Sequence, residues 1–395
     1  MKITTLAPDA SGLVEWPTLS ADRKSVVTVG VFDGMHRGHQ AVIRRAVELA
    51  KADKALSVVV MFDPRPGVVH AYAAAHDGQE PGDGFRDPMA LTSVDQRLRT
   101  LENLGVDHVL IVRYTLAFAA KSYRFFLGQM VGKLGMRTLV LGTDAAMGAN
   151  RAGDVKAIGV LAQATGVFEL EIVDDRGPGH VRVPADVTPQ MPSEPGEPVD
   201  PTEGMTKAQL RAWSKKHQGR EVRVWSSTNV RYLLAHGRIK AADEILGHAH
   251  AIEGTVVHGE ERGRTIGFPT ANLGSMIDGY IPVDGVYAGW LVDLGEKSAD
   301  GGEEAGEKPA DGVSQQYDAS SVNARVAMQS PHRRRPSPSA PSRRSTRTVT
   351  PNAWWKPTPS PMTGWTCTAI RRAWNSLDSC ARRSNSIRPT IWWSS

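Results

Sequence analysis

His36-Arg37-Gly38-His39 sets two imidazoles around a glycine, between an apolar run (Val26-Val-Thr-Val-Gly-Val-Phe32) and the stretch Ala41-Val-Ile-Arg-Arg-Ala-Val-Glu-Leu-Ala50. Imidazole N–H groups are donors that can follow negative charge as a phosphate ester rearranges. The phosphate also needs an anchor, and a helix start provides one through its unpaired N–H groups and the positive end of its macrodipole. The β-branched run reads as a buried strand and Ala41 to Ala50 has helical periodicity, so the predicted unit is strand, glycine turn, helix. Gly34 and Gly38 let the backbone approach the ligand closely. Taken alone, a histidine near a helix start is more often a cap or a surface residue.

A second set of donors lies far along the chain, at Ser226-Ser227-Thr228-Asn229-Val230-Arg231. Hydroxyls at a helix start can cap it or donate to phosphate oxygens, and Arg231 adds a forked cation. The plainer alternative is a capped helix with a solvated arginine.

Both sets require a scaffold. Further strands are predicted at Ser57 to Phe62, which ends in Asp-Pro-Arg-Pro, and at Asp107 to Val112, Thr138 to Gly142 and Val167 to Val173. Helices are predicted at Leu91 to Leu104, with Thr92 or Ser93 as cap and Gly105 closing it, and at Ser122 to Leu134 and Asp154 to Thr165. Residues 70 to 90, rich in Ala, Gly and Asp, read as a mobile loop. Alternating strands and helices of these lengths indicate an α/β, doubly wound parallel sheet. Ligands in such sheets sit beyond the carboxyl ends of the strands, where Asp33 to His39, Asp63 to Pro66 and Gly142 to Gly148 all fall. Residues 184–220 read as an insertion, with one short helix at Thr206 to Lys216. A short strand at Val222 to Trp225 restores order, Gly237 ends the helix after the hydroxyls, and Ala241 to Leu246 forms another.

From Glu253 the pattern changes to short strands with glycine turns, at Gly254 to His258, through Leu273, and at Val286 to Val292, which predicts a small β-barrel. In it, Gly263 and Gly267 can expose backbone donors to a diphosphate, and Thr270 and Asn272 offer the hard oxygen ligands that Mg²⁺ takes.

The totals exclude several classes. A chain of 395 residues holds two or three domains. It has no run of about 18 apolar residues and no charged-then-apolar N-terminus, so a soluble, cytoplasmic protein is expected. The net charge of +5 invites nucleic acid, yet 12 of the 47 basic side chains and one of the 42 acidic ones (Asp378) fall in residues 331–395. Residues 1–330 therefore carry 35 basic and 41 acidic groups, a net of −6. Both cysteines, Cys367 and Cys380, lie in the same tail, so the body has no disulfide framework.

Gly30 to His39 resembles the first motif of bacterial FAD synthetases, and its His-x-Gly-His core the nucleotidyltransferase signature. Ser-Ser-Thr-x-x-Arg resembles the second signature, in the same chain order. Gly267-Phe-Pro-Thr-Ala-Asn-Leu273 resembles the signature of riboflavin kinases, and Asp284-Gly-Val-Tyr-Ala-Gly289 the motif that follows it. Together the two modules resemble the bifunctional bacterial riboflavin kinase/FMN adenylyltransferase family over roughly residues 24 to 295.

The resemblance implies that residues 1–247 transfer AMP from ATP to FMN, the FMN phosphate attacking the α-phosphorus. His36, His39 and Arg231 would serve catalysis. Gly30, Phe32, Asp33, Gly34, Gly38, Ser226, Ser227 and Thr228 would hold the nucleotide phosphates, with Mg²⁺ bridging. Phe62, Asp63, Pro64, Pro66 and Asp144 would line the flavin side. For residues 248–329 it implies riboflavin phosphorylation by ATP, with Gly263, Gly267, Phe268 and Pro269 at the nucleotide and Thr270 and Asn272 on Mg²⁺.

Three departures stand out. Arg65 replaces the histidine of the family's Phe-Asp-Pro-His-Pro. Ala145 and Met147 replace aromatics near flavin and adenine, a loss of about 1 kcal/mol per ring. Residues 330–395, a basic Arg/Ser/Pro/Trp tail with six of the ten tryptophans, contain no Glu, whereas the family's kinase base is a glutamate. This mixture is what GC-rich codons yield when read out of frame, so a frameshifted, disordered tail and an impaired kinase are expected. The competing readings are a nucleic-acid-binding tail, with Arg on phosphates and Trp on bases, a non-catalytic flavin or nucleotide binder, and a nucleotidyltransferase with another phosphate acceptor.

Overall fold

The structure, a computed structural model, describes residues 1–257, 270–294, 316–317, 326–329, 353–356 and 366–369. The chain forms two compact units. One comprises Met1–His180, Arg223–Ser227 and Gly302–Val322, and the other Val181–Val222, Thr228–Gly301 and Asn323–Ser395.

The strands of the first unit are β1 (Lys2–Leu6), β2 (Ser25–Gly30), β3 (Leu56–Asp63), β4 (His108–Arg113) and β5 (Met136–Gly142), then a two-residue hairpin of β6 (Ala146–Met147) with β7 (Gly153–Asp154), and β8 (Glu169–Val173). Six of them form a parallel sheet in the order β1-β4-β3-β2-β5-β8, and Gln316–Tyr317 pairs antiparallel with β1. From β2 the chain builds outward through β3 and β4, then crosses back to add β5 and β8 on the other side. Connections from β2 and β5 therefore diverge, which leaves a crevice at their carboxyl ends.

The helices are α1 (Arg37–Ala52), α2 (Pro66–Ala75), α3 (Val94–Asn103), α4 (Leu116–Ala119), α5 (Tyr123–Leu134) and α6 (Val155–Thr165). On one face of the sheet Val27, Val58, Val60, Leu110, Leu139 and Leu141 pack with Phe126 and Met130 of α5 and Ile158 of α6. On the other, Val59, Met61, Val109 and Ile111 pack with Ile43 and Val47 of α1 and Leu98 and Leu101 of α3. Strands covered on both sides have no polar face, which is why they read as unbroken apolar runs. Each fully buried side chain of this kind contributes about 1.5–3 kcal/mol.

Side-chain caps start several of these helices. Ser122 and Asp154 cap α5 and α6, and Ser93 caps α3 in a reciprocal capping box with Gln96. Thr92 is not the cap, because its hydroxyl accepts from Gly34 N.

Several elements differ from the sequence reading. β1 was not marked by five residues of weak period, and its parallel pairing with β4 is what makes it a strand. Part of the predicted loop is α2: Pro66 at the first helical position has the required φ, and the alanines at 71 and 73–75 propagate the helix. The strand expected at Val222 to Trp225 is instead β10 (Arg220–Arg223), paired with an unpredicted β9 (His180–Val183). This pairing brings together the two flanks of the insertion, which accommodates it without interrupting the sheet.

The second unit contains α7 (Lys207–Lys216), capped by Thr206, and α9 (Ile239–Leu246); α8 (Ser227–Ala235) enters it after its first residue. Its strands β11 (Ala251–Val257), β12 (Thr270–Asp278) and β13 (Trp290–Asp293) join Val326–Gln329, Ala353–Lys356 and Thr366–Ala369 in a six-stranded antiparallel sheet. The last two strands lie in the tail, where composition marks no strands. Among the described residues no helix is long and apolar enough to cross a membrane.

Candidate active site

β2 ends at Gly30, and the chain turns through backbone with positive φ at Phe32 (52°), Gly34 (79°) and Met35 (46°). For Phe32 and Met35 that conformation costs on the order of 1–2 kcal/mol each. Tertiary contacts offset it, since both side chains are buried in the core shared by α1 and α3. The turn is also bonded to the segment before α3. Asp33 Oδ1 accepts from Leu91 N (2.8 Å) and Thr92 N (3.2 Å), and Gly34 N donates to Thr92 Oγ1 (2.9 Å).

His36 is the N-cap of α1, its Nδ1 accepting from His39 N at 3.3 Å. An accepting Nδ1 carries no proton, so the neutral ring has its proton on Nε2. The His39 ring stacks on it, with centroids 3.6 Å apart and planes 20° apart, and meets Phe32 edge-on at 5.4 Å. Although His39 as a whole keeps some exposure, its Nδ1 is buried with no hydrogen-bond partner among the described residues. Burial, reinforced by His36 and then by Arg223 and Arg97, holds the His39 pKa well below the usual histidine value. His39 is therefore a neutral N–H donor near pH 7 rather than a cation.

The second predicted motif returns to this turn. Ser227 Oγ donates to Asp33 O (2.8 Å), 194 residues away in sequence, and Ser226 Oγ donates to Arg223 O (2.9 Å). Thr228 follows Ser227 in the first turn of α8, and Arg231 lies one turn on, on the same face as Ser227. Ser226 and Ser227 share the first unit with the histidines, while Thr228 and Arg231 belong to the second.

On the flavin side of the predicted site, Phe62 lies in an aromatic group with Tyr114 (5.7 Å) and Phe118 (5.8 Å). Asp63 is bonded to Arg97, Pro64 follows it, and Pro66 begins α2. Arg65 pairs with Asp87 and lies 3.7 Å from Asp33 Oδ2. Asp144, exposed, pairs with Arg223 (2.8 Å), and Ala145 and Met147 pack against the core beside α5. Of the kinase-module residues, Gly263, Gly267, Phe268 and Pro269 lie outside the described residues. Thr270 begins β12, and half-buried Asn272 is opposite Val257.

Three site residues escaped the sequence reading. Arg97, 2% exposed, donates to Val31 O (3.1 Å), Phe62 O (3.4 Å) and Asp63 Oδ1 (2.9 Å), tying the ends of β2 and β3 together. Its signal was a charged residue four positions before Leu101 in an otherwise apolar stripe. Buried Asp175 and half-buried Arg223 form a pair at 2.6 Å, and nothing in their local sequence marks them. Among the described residues no group of three or more His, Cys, Asp or Glu is placed to hold a metal ion.

A doubly wound parallel sheet with a strained turn, a capped helix and paired imidazoles at its reversal point is the arrangement of a nucleotide-handling α/β domain. Residues 18–186 match the family described as FAD synthetase, and residues 246–325 that described as riboflavin kinase. A bifunctional riboflavin kinase/FMN adenylyltransferase of Escherichia coli K12 is 33% identical over 295 residues, 74% of this chain and 76% of the relative. One from Listeria monocytogenes is 30% identical over 274 residues, 69% and 68% of the two chains. The chain belongs to the bifunctional riboflavin kinase/FMN adenylyltransferase family. A crystal structure titled macrolide-efflux protein, from Streptococcus pneumoniae, superposes with a TM-score of 0.50 at 20% identity over 96% of this chain and 95% of its own, a likeness of fold alone.

Proposed function

We propose that residues 1–247 form FAD by transferring AMP from ATP to FMN, releasing pyrophosphate. The observation that carries this is the bond from Ser227 Oγ to Asp33 O, which joins the hydroxyl motif to the histidine turn at the reversal point of the sheet. In this reading the FMN phosphate attacks the α-phosphorus. Nε2–H of His36 and an N–H of His39, with the start of α1, take up the charge that develops there. Ser226, Ser227, Thr228 and Arg231 hold the departing pyrophosphate. Gly30, Phe32, Asp33, Gly34 and Gly38 shape the turn, and Phe62 to Pro66 with Asp144 face the flavin. Positioning and electrostatics suffice for phosphoryl chemistry, and no covalent intermediate is required. Mg²⁺, carried chiefly by the nucleotide phosphates, would neutralise charge on them. In the second module the hydroxyl of Thr270 and the amide oxygen of Asn272, two residues apart on β12, are the neutral hard ligands it takes.

His39→Ala tests the assignment. It should lower FAD formation by about 100-fold or more, the scale of removing one donor to a developing charge, with the fold retained. Unchanged turnover rejects the role given to His39.

Residues 248–329 carry the riboflavin kinase motif, and this reaction is impaired in the present chain. The riboflavin kinase match ends at residue 325, and residues 330–395 supply no glutamate to act as base. A frameshift near residue 330 accounts for both, and translating the other two frames tests it: a Glu-bearing strand pattern should appear in one of them. The protein acts on small molecules in the cytoplasm, and nucleic acid is not among its partners.

A further inference from the structure

Asp175 lies two residues past β8 and is 5% exposed, although it is a carboxylate in no motif. Its Oδ1 accepts three bonds, from Thr143 N (3.0 Å), Thr143 Oγ1 (3.0 Å) and an Arg223 guanidinium nitrogen (2.6 Å). The surroundings are shaped to admit it. A Cβ at Gly142 would stand 2.2 Å from Asp175 Oδ2, and a Cβ at Gly38 would stand 2.5 Å from the Asp175 carbonyl oxygen. Only glycine at both places leaves room for this residue. One side of Asp175 thus rests on the first turn of α1, between the histidines, and the other on the end of β5. Its charge holds the arginine that begins the segment leading to Ser226 and Ser227. These are the strand ends that flank the crevice, and the bond from Ser227 Oγ to Asp33 O ties the same segment to the turn before α1.

We infer that Asp175 is a positioning residue for adenylyl transfer, setting the loop after β5, the arginine before the hydroxyl pair and the start of the imidazole helix in one fixed arrangement. This inference rests on the adenylyl-transfer reading above. Asp175 touches no reacting atom. Its effect is to fix the distance between groups that must act on one phosphate chain, and a small misplacement of such groups costs a large factor in rate. The partners differ in exposure. Asp175 binds Arg223 from the buried side, whereas Asp144 binds the same guanidinium from solvent, so removing Asp175 leaves Arg223 free to follow Asp144 outward.

The test uses the full chain with ATP, FMN and Mg²⁺, and measures kcat and KM for FAD formation alongside thermal melting. Asp175→Asn keeps the size of the side chain and removes the charge that holds Arg223. It should lower kcat at least tenfold, with KM for FMN within threefold and melting within a few degrees of the parent. Thr143→Val, a milder change to the same cluster, should lower kcat at least threefold with melting preserved, and decides the matter if Asp175→Asn does not fold. Parent-like kcat in a folded Asp175→Asn protein overturns the inference. So does a loss of kcat that only tracks a loss of folded protein, since that is a structural role. Parent protein that makes no FAD refutes the underlying reading instead, a result readily told apart from failure of the variants alone.

Discussion

Replacing Arg97 with Met removes a buried guanidinium while keeping an unbranched stem of similar reach. In the native protein Arg97 donates to the carbonyls of Val31 and Phe62, to Asp63 and, through Nε, to Ser93 O (3.3 Å). Asp63 is 42% exposed and can turn to water once its partner is gone. Ser93 O keeps its helical bond from Arg97 N (3.2 Å). The Val31 and Phe62 carbonyls lose a donor beneath α3, at about 1–3 kcal/mol each. The substitution should therefore cost about 2–6 kcal/mol, a large part of the 5–15 kcal/mol typical of a folded domain. Arg97→Lys retains the charge but not the fork, and should fall between the two. Urea unfolding of the full chain gives the stability difference, and FAD formation in the absence of urea gives the effect on the site. A cost below about 1 kcal/mol for Arg97→Met would mean that these carbonyls are satisfied without it, and the account of how β2 and β3 present their ends would be wrong.

Other outcomes follow from the same geometry. The ring protons of His39, followed by NMR, should show no midpoint near 6.5, because burial and the adjacent His36 disfavour its cation; an ordinary histidine titration curve contradicts the neutral-donor role. In the second unit Asp243, 5% exposed and accepting from His250 N at 2.7 Å, has its pKa pushed up to about 7 by burial. The folded protein then holds a proton that the unfolded chain loses above about 3.9, so this group lowers stability as pH rises from about 4 to 7. His250, buried with its Nε2–H on Tyr280 O, is pulled down to about 4 and acts in the opposite sense from about 4 to 6.5. Asp243→Asn removes only the first effect, so its melting temperature relative to the parent should climb as pH rises from 4.5 to 7.5; parallel curves would show that Asp243 is not buried in its acid form. Riboflavin, ATP and Mg²⁺ should yield little FMN, and production at ordinary enzymatic rates would contradict the argument from the missing glutamate.

Legibility followed the range of the interactions involved. The strand before the histidines, the helix after them, and the starts of α3, α5, α6 and α7 could be read because β-branched runs, helical period and capping side chains act within a few residues. α2 was obscured because its alanines adjoin a stretch rich in Gly and Asp, although Pro66 marks its start. β1 and β9 are strands by virtue of partners distant in sequence. The substitution at Arg65 was visible, but its pairing with Asp87 and its approach to Asp33 were not.

By itself, the order of residues determined that imidazoles would stand at a helix start after a buried strand, that hydroxyls and a guanidinium would start a later helix, and that a second motif would follow. These are properties of short segments, set by local sterics and hydrogen bonding. Tertiary structure alone decided that Ser227 reaches Asp33, that His39 is neutral, that Arg97 ties two strand ends and that a buried Asp175 sits between Gly38 and Gly142. Each of these depends on burial or on groups brought close by the sheet order, and neither is encoded at any one position along the chain.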